Sequence, residues 1–239
     1  AVTDRMNHLG DPDFGEGDTA ALLSEEHLAT LRKDLRLDAS DVITSVVAPS
    51  ETTSLSVADQ DGLLVSYIAS LSNSFGSGRV AGETGIFLNN RAGRGFHLRA
   101  NRPNALQPGK RAMHTLCPVL VLDGDEALAL NTPGGDRQPQ FMAQALVAGN
   151  AADRAVALDR ACNGPRWHVT PGTDPHNWGK PTQLHIEEGF PPEAVDDLVR
   201  RGHQIVTHSS HGGGGGVQAV MGRQGRWWAA SDSRVDGAA

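Results

Sequence analysis

The sequence predicts a layered protein of the α+β or α/β kind, and three observations predict it. Two strand-like runs joined by a tight turn lie on either side of Asp59–Gly62. Helical patterns fill the middle of the chain, and short apolar runs fenced by Gly, Pro, Asn or Asp lie around them. Strands early, helices next and strands again make sheet and helix layers, not the strict alternation of a Rossmann domain.

Taken in chain order, Leu22–Leu37 places Leu28, Leu31 and Leu35 on one helical face. Ser24 is a cap, Glu25 and Glu26 suit the positive first turn, and Arg32 and Lys33 follow towards the negative end. Residues 38–51 lack this periodicity and carry Asp, Ser and Pro, so they read as an exposed connector suited to being cut. Thr53–Ala58 alternates polar and apolar residues, Asp59-Gln60-Asp61-Gly62 supplies a turn, and Leu63–Leu71 runs back. The result is a hairpin with Thr52 at its outer end. Further strands are expected at Gly85–Leu88, Val119–Leu122, Ala127–Leu130, Val217–Met221 and Trp227–Ala230. Helices are expected at Gln138–Ala148, Ala151–Ala161 and Pro192–Arg201, the last opened by proline and closed by Gly202. Trp227-Trp228 reads as a core pair on an edge strand. No internal repeat is found, and Gly212–Gly216 is the low-complexity segment. It lacks the Lys-Ser/Thr ending of a phosphate loop.

The balance of 38 % hydrophobic and 21 % charged residues over 239 positions suits one sizeable core. A net charge of −7 with a pI near 5.8 argues against nucleic acid as a partner, because phosphate tracking needs clustered Lys and Arg. No apolar run approaches the roughly 20 residues that span a bilayer, and Ala1–Gly10 lacks a signal-peptide layout. The expectation is a cytoplasmic protein without a membrane partner. Cys117 and Cys162 are far apart and outside any CxxC spacing, so buried small hydrophobes are expected instead of a disulfide or zinc knuckle. His203, His208 and His211 near the glycine run fit no metal motif and read as loop histidines; no metal and no cofactor are expected.

Two stretches carry chemistry. A threonine at a chain terminus holds its own base, because a free α-amino group titrates close to neutral pH. If the bond after Glu51 is broken, Thr52 supplies both nucleophile and base. The plain alternative is a pair of β-forming threonines opening a strand. In Asn131-Thr132-Pro133-Gly134-Gly135-Asp136-Arg137, two glycines allow positive φ and present N–H groups at a helix start, as an oxyanion hole requires. The plain alternative there is a strand-to-helix turn.

A resemblance joins the two. The chain resembles the gamma-glutamyltransferase (gamma-glutamyltranspeptidase) family of N-terminal nucleophile hydrolases in Gly10-Asp11-Pro12-Asp13-Phe14, Thr52-Thr53, Phe75-Gly76-Ser77-Gly78 and Gly82-Glu83-Thr84-Gly85-Ile86-Phe87-Leu88-Asn89-Asn90-Arg91. Pro108-Gly109-Lys110-Arg111, Pro133-Gly134-Gly135, Ala161-Cys162-Asn163-Gly164-Pro165-Arg166-Trp167 and Asp232-Ser233-Arg234-Val235-Asp236-Gly237 continue it in order. The resemblance implies a four-layer αββα sandwich, α+β in class, and a precursor that cleaves itself. Residues 1–51 then match the tail of a large subunit and 52–239 a small catalytic subunit. The remainder of the large subunit becomes the implied partner, in a heterodimer or heterotetramer, beside a small-molecule substrate.

Carried over by position, Thr52 is the nucleophile, Ser70 a supporting hydroxyl, and Gly134 and Gly135 the oxyanion glycines. The substrate-facing positions depart from the glutathione-cleaving pattern. Ser72 stands where an asparagine is expected, with Asn73 one place later; Arg91 and Arg94 replace acidic residues, and His114-Thr115 replaces paired serines. Arginines repel an ammonium and attract a carboxylate. Each arginine also reads as a plain surface residue. The resemblance is thus to a divergent branch containing acylases and homologues recruited to antibiotic biosynthesis. It implies an amide-cleaving hydrolase or acyltransferase for a small carboxylate-bearing substrate. The alternatives are carbon–carbon bond hydrolysis by the same nucleophile, or binding without turnover.

Overall fold

The computed structural model describes residues 2–15, 17–36, 38, 52–150, 153–170 and 180–239. The predicted connector after Asp38 lies outside them. Short helices α1 (Val2–His8), α2 (Thr19–Leu22) and α3 (Glu25–Asp34) precede the first sheet. In α3 the expected cap is present: the Ser24 hydroxyl accepts from His27 N.

Strands β1 (Thr52–Ala58) and β2 (Leu64–Ser70) form the expected antiparallel hairpin, with Thr52 opposite Ser70. Asp59 Oδ1 accepts from the N–H groups of Asp61 and Leu63, and Gly62 takes φ +88°, which closes the turn. A second sheet has the order β3 (Val119–Asp123), β4 (Glu126–Asn131), β8 (Gln218–Arg223), β9 (Arg226–Ser231), all antiparallel. Helices α5 (Gln138–Ala148) and α6 (Arg154–Asn163) cover one face of it. Phe141, Met142, Leu158 and Cys162 from the helices pack with Leu130, Val217 and Met221 in the main core. Each large apolar side chain buried this way contributes about 1.5–3 kcal/mol.

The hairpin lies against the other face of β4 and β8 through small polar groups. The Ser56 hydroxyl donates to Gln218 O (3.1 Å) and the Ser66 hydroxyl to Leu130 O (3.0 Å). Its alternation is therefore turned round: serines face the neighbouring sheet, while Leu55, Val57 and Tyr67 are 44–50 % exposed on the outer face. Three layers, helix, sheet and sheet, are present among the described residues; no helix there covers the outer face of the hairpin.

Some expectations fail. Gly85–Leu88 forms no strand, only a single bridge between Val80 and Phe87, in a loop where Gly76, Gly78, Gly82 and Gly85 all take positive φ. A third sheet was not expected: β5 (Trp167–Thr170), β6 (Gln183–Glu187) and β7 (Ile205–His208), with β6 and β7 parallel and α7 (Pro192–Arg200) between them in sequence. The five-residue helix α4 (Arg91–Gly95) was also missed. Helix α6 starts three residues later than expected, where the Asp153 carboxylate accepts from Ala155 N and Val156 N. The tryptophans behave as expected on edge strand β9: Trp227 lies over Gly222, where no side chain fits, and Trp228 packs on the core. Cys162 is fully buried and its thiol is pushed up to about 12, first by burial and then by Asp232; Cys117 is only half-buried.

Candidate active site

Thr52 occupies the first position of β1, and cross-strand register alone brings it to Ser70. Their hydroxyl oxygens are 3.0 Å apart. Ser70 Oγ also accepts from Ser72 N at 3.0 Å. Beyond Ser70 the chain turns sharply, with Ser72 at φ +78°. Its hydroxyl is buried and meets no hydrogen-bond partner among the described residues.

The second motif is fixed by Asn131, a fully buried residue at the end of β4 that the sequence did not single out. Its side-chain N–H groups reach Leu55 O (2.7 Å), Ser56 Oγ (3.0 Å) and Ser66 Oγ (3.1 Å). Leu55 follows Thr52 by three residues and Asn131 precedes Gly134 by three, so this one amide ties the strand that Thr52 opens to the glycine turn. Gly134 has φ +140°, and a Cβ there would sit 3.3 Å from the Phe141 ring; a Cβ on Gly135 (φ +56°) would meet nothing. Glycine is thus required at the first position by space and backbone, and at the second by backbone alone. Both lie at the start of a helical turn, Gly135–Arg137, whose first N–H groups have no intrahelical acceptor. The turn is held from a distance by Arg5 of α1, whose guanidinium meets Asp136 at 2.7 Å and whose Nε donates to Met113 Sδ at 3.4 Å.

The six expected substrate residues divide into two groups. Arg94 is buried and donates to Ser72 O (3.2 Å) and Asn73 Oδ1 (3.0 Å), so it shapes the turn after Ser70. Asn73 N in turn donates to Asn90 Oδ1 at 3.1 Å. Arg91, His114 and Thr115 form the other group. Gly95 lets α4 lie directly on Ala112 and Met113, where a Cβ would come within 2.9 Å of both. That contact brings Arg91 Nη1 to Thr115 Oγ1 at 3.2 Å. Neither arginine is a surface residue, which corrects the plain reading of both.

Arg91 and His114 line a cavity of about 720 Å3 together with Asn89, Phe96, Lys110 and Arg111. Thr52 is not in its wall. Arg111 is neutralised by Asp11 (2.6 Å) and Asp13 (2.7 Å). His114 is held below the ordinary histidine range by burial first, then by the positive charges of Arg91 and Arg5, so the cavity offers a neutral imidazole beside a guanidinium.

The histidine grouping read from the sequence is also corrected. His208 ends β7 and is not a loop residue; its partners are His168 and His185, not His203 and His211. Among the described residues no three His, Cys, Asp or Glu side chains are arranged to hold a metal ion, and no helix is long and apolar enough to cross a membrane.

Comparison with known proteins gives the family and the fold. The family model described as "Gamma-glutamyltranspeptidase" matches residues 1–239. The chain is 32 % identical to the glutathione hydrolase proenzyme of Escherichia coli (strain K12) over 98 % of its own length and 41 % of that protein's. It is 31 % identical to the oxamate amidohydrolase proenzyme of Klebsiella pneumoniae over 98 % of its length and 44 % of the relative's. Among solved structures, the cephalosporin acylase from Bacillus halodurans superposes with a TM-score of 0.79 at 31 % identity, covering 98 % of this chain and 41 % of that one. The fold is accordingly the α+β sandwich of the N-terminal nucleophile hydrolases, and the chain spans less than half the length of these relatives.

Proposed function

We propose, from the premise that the chain belongs to the gamma-glutamyltranspeptidase family, that the complete protein is a self-processing N-terminal threonine hydrolase or acyltransferase acting on the amide of a small carboxylate-bearing substrate. The observation that carries the proposal is the 3.0 Å contact between the Thr52 and Ser70 hydroxyls at the open end of the hairpin. After cleavage of the Glu51–Thr52 bond, the new amine of Thr52 takes the proton of its own hydroxyl as the oxygen attacks the scissile carbonyl. Ser70 orients that oxygen. The Gly134 and Gly135 N–H groups receive the negative charge that develops on the carbonyl oxygen, a contribution of the order of 10²–10³ in rate per donor. The amine then protonates the leaving nitrogen, and water or an acceptor amine releases the acyl group from Thr52.

Specificity for a carboxylate rests on Arg91 beside a neutral His114, and the relative named for oxamate, itself a carboxylate with an amide, supports it. Two relatives are named as proenzymes, which supports division into residues 1–51 and 52–239. The rest of the precursor is assigned to the exposed outer face of the hairpin, where Leu55, Val57 and Tyr67 await a covering layer. No observation favours carbon–carbon hydrolysis or binding without turnover over amide cleavage.

The test is the intact mass and N-terminal sequence of the full precursor beside its Thr52→Ala variant. Two fragments, one beginning at Thr52 and absent from the variant, are expected. A single uncut wild-type chain would overturn the reading.

A further inference from the structure

The third sheet carries a cluster that the proposed chemistry does not use. His168 on β5 pairs in register with His185 on β6, and His208 ends the neighbouring strand β7. The three rings stack, with centroids 4.7 Å (His168–His185) and 5.1 Å (His185–His208) apart and planes within 10° and 20°. His185 Nδ1 lies 2.8 Å from His208 Nε2, and His185 Nε2 lies 2.8 Å from Thr170 Oγ1. With both nitrogens of the middle ring engaged in this way, the imidazoles run side by side and do not converge on a point, so the row is not a metal cage.

Arg137 faces the row across a cavity of about 290 Å3, whose remaining walls are Thr170, Gln183 and Gly212–Gly214. Among the described residues Arg137 meets no carboxylate. The carboxylate next to it in the chain and the one that holds Gly213 N are already engaged. Asp136 is paired with Arg5, and Glu187 takes Gly213 N (2.8 Å), Arg166 N (2.9 Å) and the Arg234 guanidinium. Burial weakens the hold of Arg137 on its proton; His168 is pushed down by burial and then by Arg137, and His185 by burial, His208 and then Arg137. The cavity therefore holds a partly desolvated guanidinium, hydrogen-bonding imidazole edges and an amide, and among the described residues no acid lines it. A half-buried cation is costly to leave without an anion beside it, and a guanidinium fork matches a planar or tetrahedral oxyanion.

We propose that this cavity is a second ligand site, separate from the Thr52 centre, that takes one small oxyanion of the carboxylate or phosphate class on Arg137, with Thr170, Gln183 and the outer edges of the histidine row as its hydrogen-bonding wall. Gly212–Gly214 make the room: a Cβ at Gly213 would strike the Glu187 side chain (2.9 Å) and one at Gly214 the Arg137 guanidinium (3.3 Å). The site is joined to the oxyanion turn, because Arg137 Nε also donates to Gly134 O at 3.3 Å.

The test is calorimetric titration of the complete processed protein with inorganic phosphate and, separately, with acetate. Saturable binding of either anion is expected, and the tighter of the two identifies the source class. Arg137→Gln is expected to weaken it roughly tenfold or more, the scale of a lost charge-assisted fork. His208→Gln and Thr170→Val probe the wall without touching the cation and are expected to weaken it less. Arg91→Gln is expected to leave it unchanged. No saturable binding, or binding lost in Arg91→Gln and kept in Arg137→Gln, would overturn the proposal, the latter by placing the anion in the cavity around His114.

Discussion

Arg137 and Arg166 lie over the same Phe141 ring, at 5.8 and 5.6 Å from its centre, yet their surroundings differ. Arg166 meets Asp232 at 2.6 Å, and Asp232 in turn meets Arg234 at 2.9 Å, which is closed by Glu187 at 2.5 Å. Two cations and two anions, all nearly inaccessible, cancel within one network that also takes Val217 N and Gly213 N. Arg137 has the same ring beneath it and no such closure among the described residues. The balanced set is structural: it fixes the C-terminal segment against β6 and the start of β8. The unbalanced guanidinium leaves charge to be met by something that arrives.

The largest expected effect is on the balanced side. Asp232→Asn leaves Arg166 without its carboxylate and Arg234 with Glu187 alone, and is expected to cost about 3–5 kcal/mol. Urea unfolding of the processed protein measures it, and a loss below about 1 kcal/mol would break the comparison. Next comes acid. His168 has a folded value pushed down to about 3, mainly by burial and then by Arg137, against an unfolded value near 6.5. The unfolded chain takes up this proton first as pH falls, so the stabilisation is complete above about 6.5 and is lost progressively down to about 3, at up to about 1.4 kcal/mol per pH unit. His185 acts in the same direction. Unfolding midpoints between pH 6.5 and 5 are expected to fall in the parent and to fall less in His168→Gln.

A smaller effect tests whether Arg91 is held for a substrate. Arg91→Gln is expected to raise KM about tenfold, or about 1.4 kcal/mol, with kcat nearly kept. Steady-state kinetics on a carboxylate-bearing amide decide it; a fall in kcat alone would assign Arg91 to the chemical step. The smallest effect sharpens the comparison from the other side. Arg137→Gln is expected to change stability by less than about 1 kcal/mol or to stabilise, because it removes a partly desolvated charge that pairs with no carboxylate among the described residues.

How much of this was legible in the sequence depended on distance along the chain. The pairing of Thr52 with Ser70 was readable because a tight turn fixes hairpin register, and the turn at Gly134-Gly135 because two adjacent glycines before a helix allow positive φ. The ends of α5 and α7 were marked by proline and glycine. The third sheet was not readable: Trp167–Thr170, Gln183–Glu187 and Ile205–His208 are short, and each mixes polar residues into the strand. Their histidines met only when those strands aligned. Helix α4, Arg-Ala-Gly-Arg-Gly, has two glycines and the propensity of a loop; packing on Ala112 and Met113 holds it. The Arg5–Asp136 pair and the Asn131 clamp span most of the chain or bridge two sheets, beyond any local period.

The glycine run at 212–216 has a consequence for mutational tolerance. By composition it resembles filler, the kind of tract in which lengthening and substitution are harmless. A Cβ at Gly212, Gly213, Gly215 or Gly216 would come within 2.8–3.0 Å of Ser209, Glu187, Phe141 or Val235 respectively, and Gly214 and Gly215 have φ of +80° and +84°. In a saturation scan of the whole chain these five low-complexity codons should rank among the least permissive, while Leu98, 91 % exposed, should accept nearly anything.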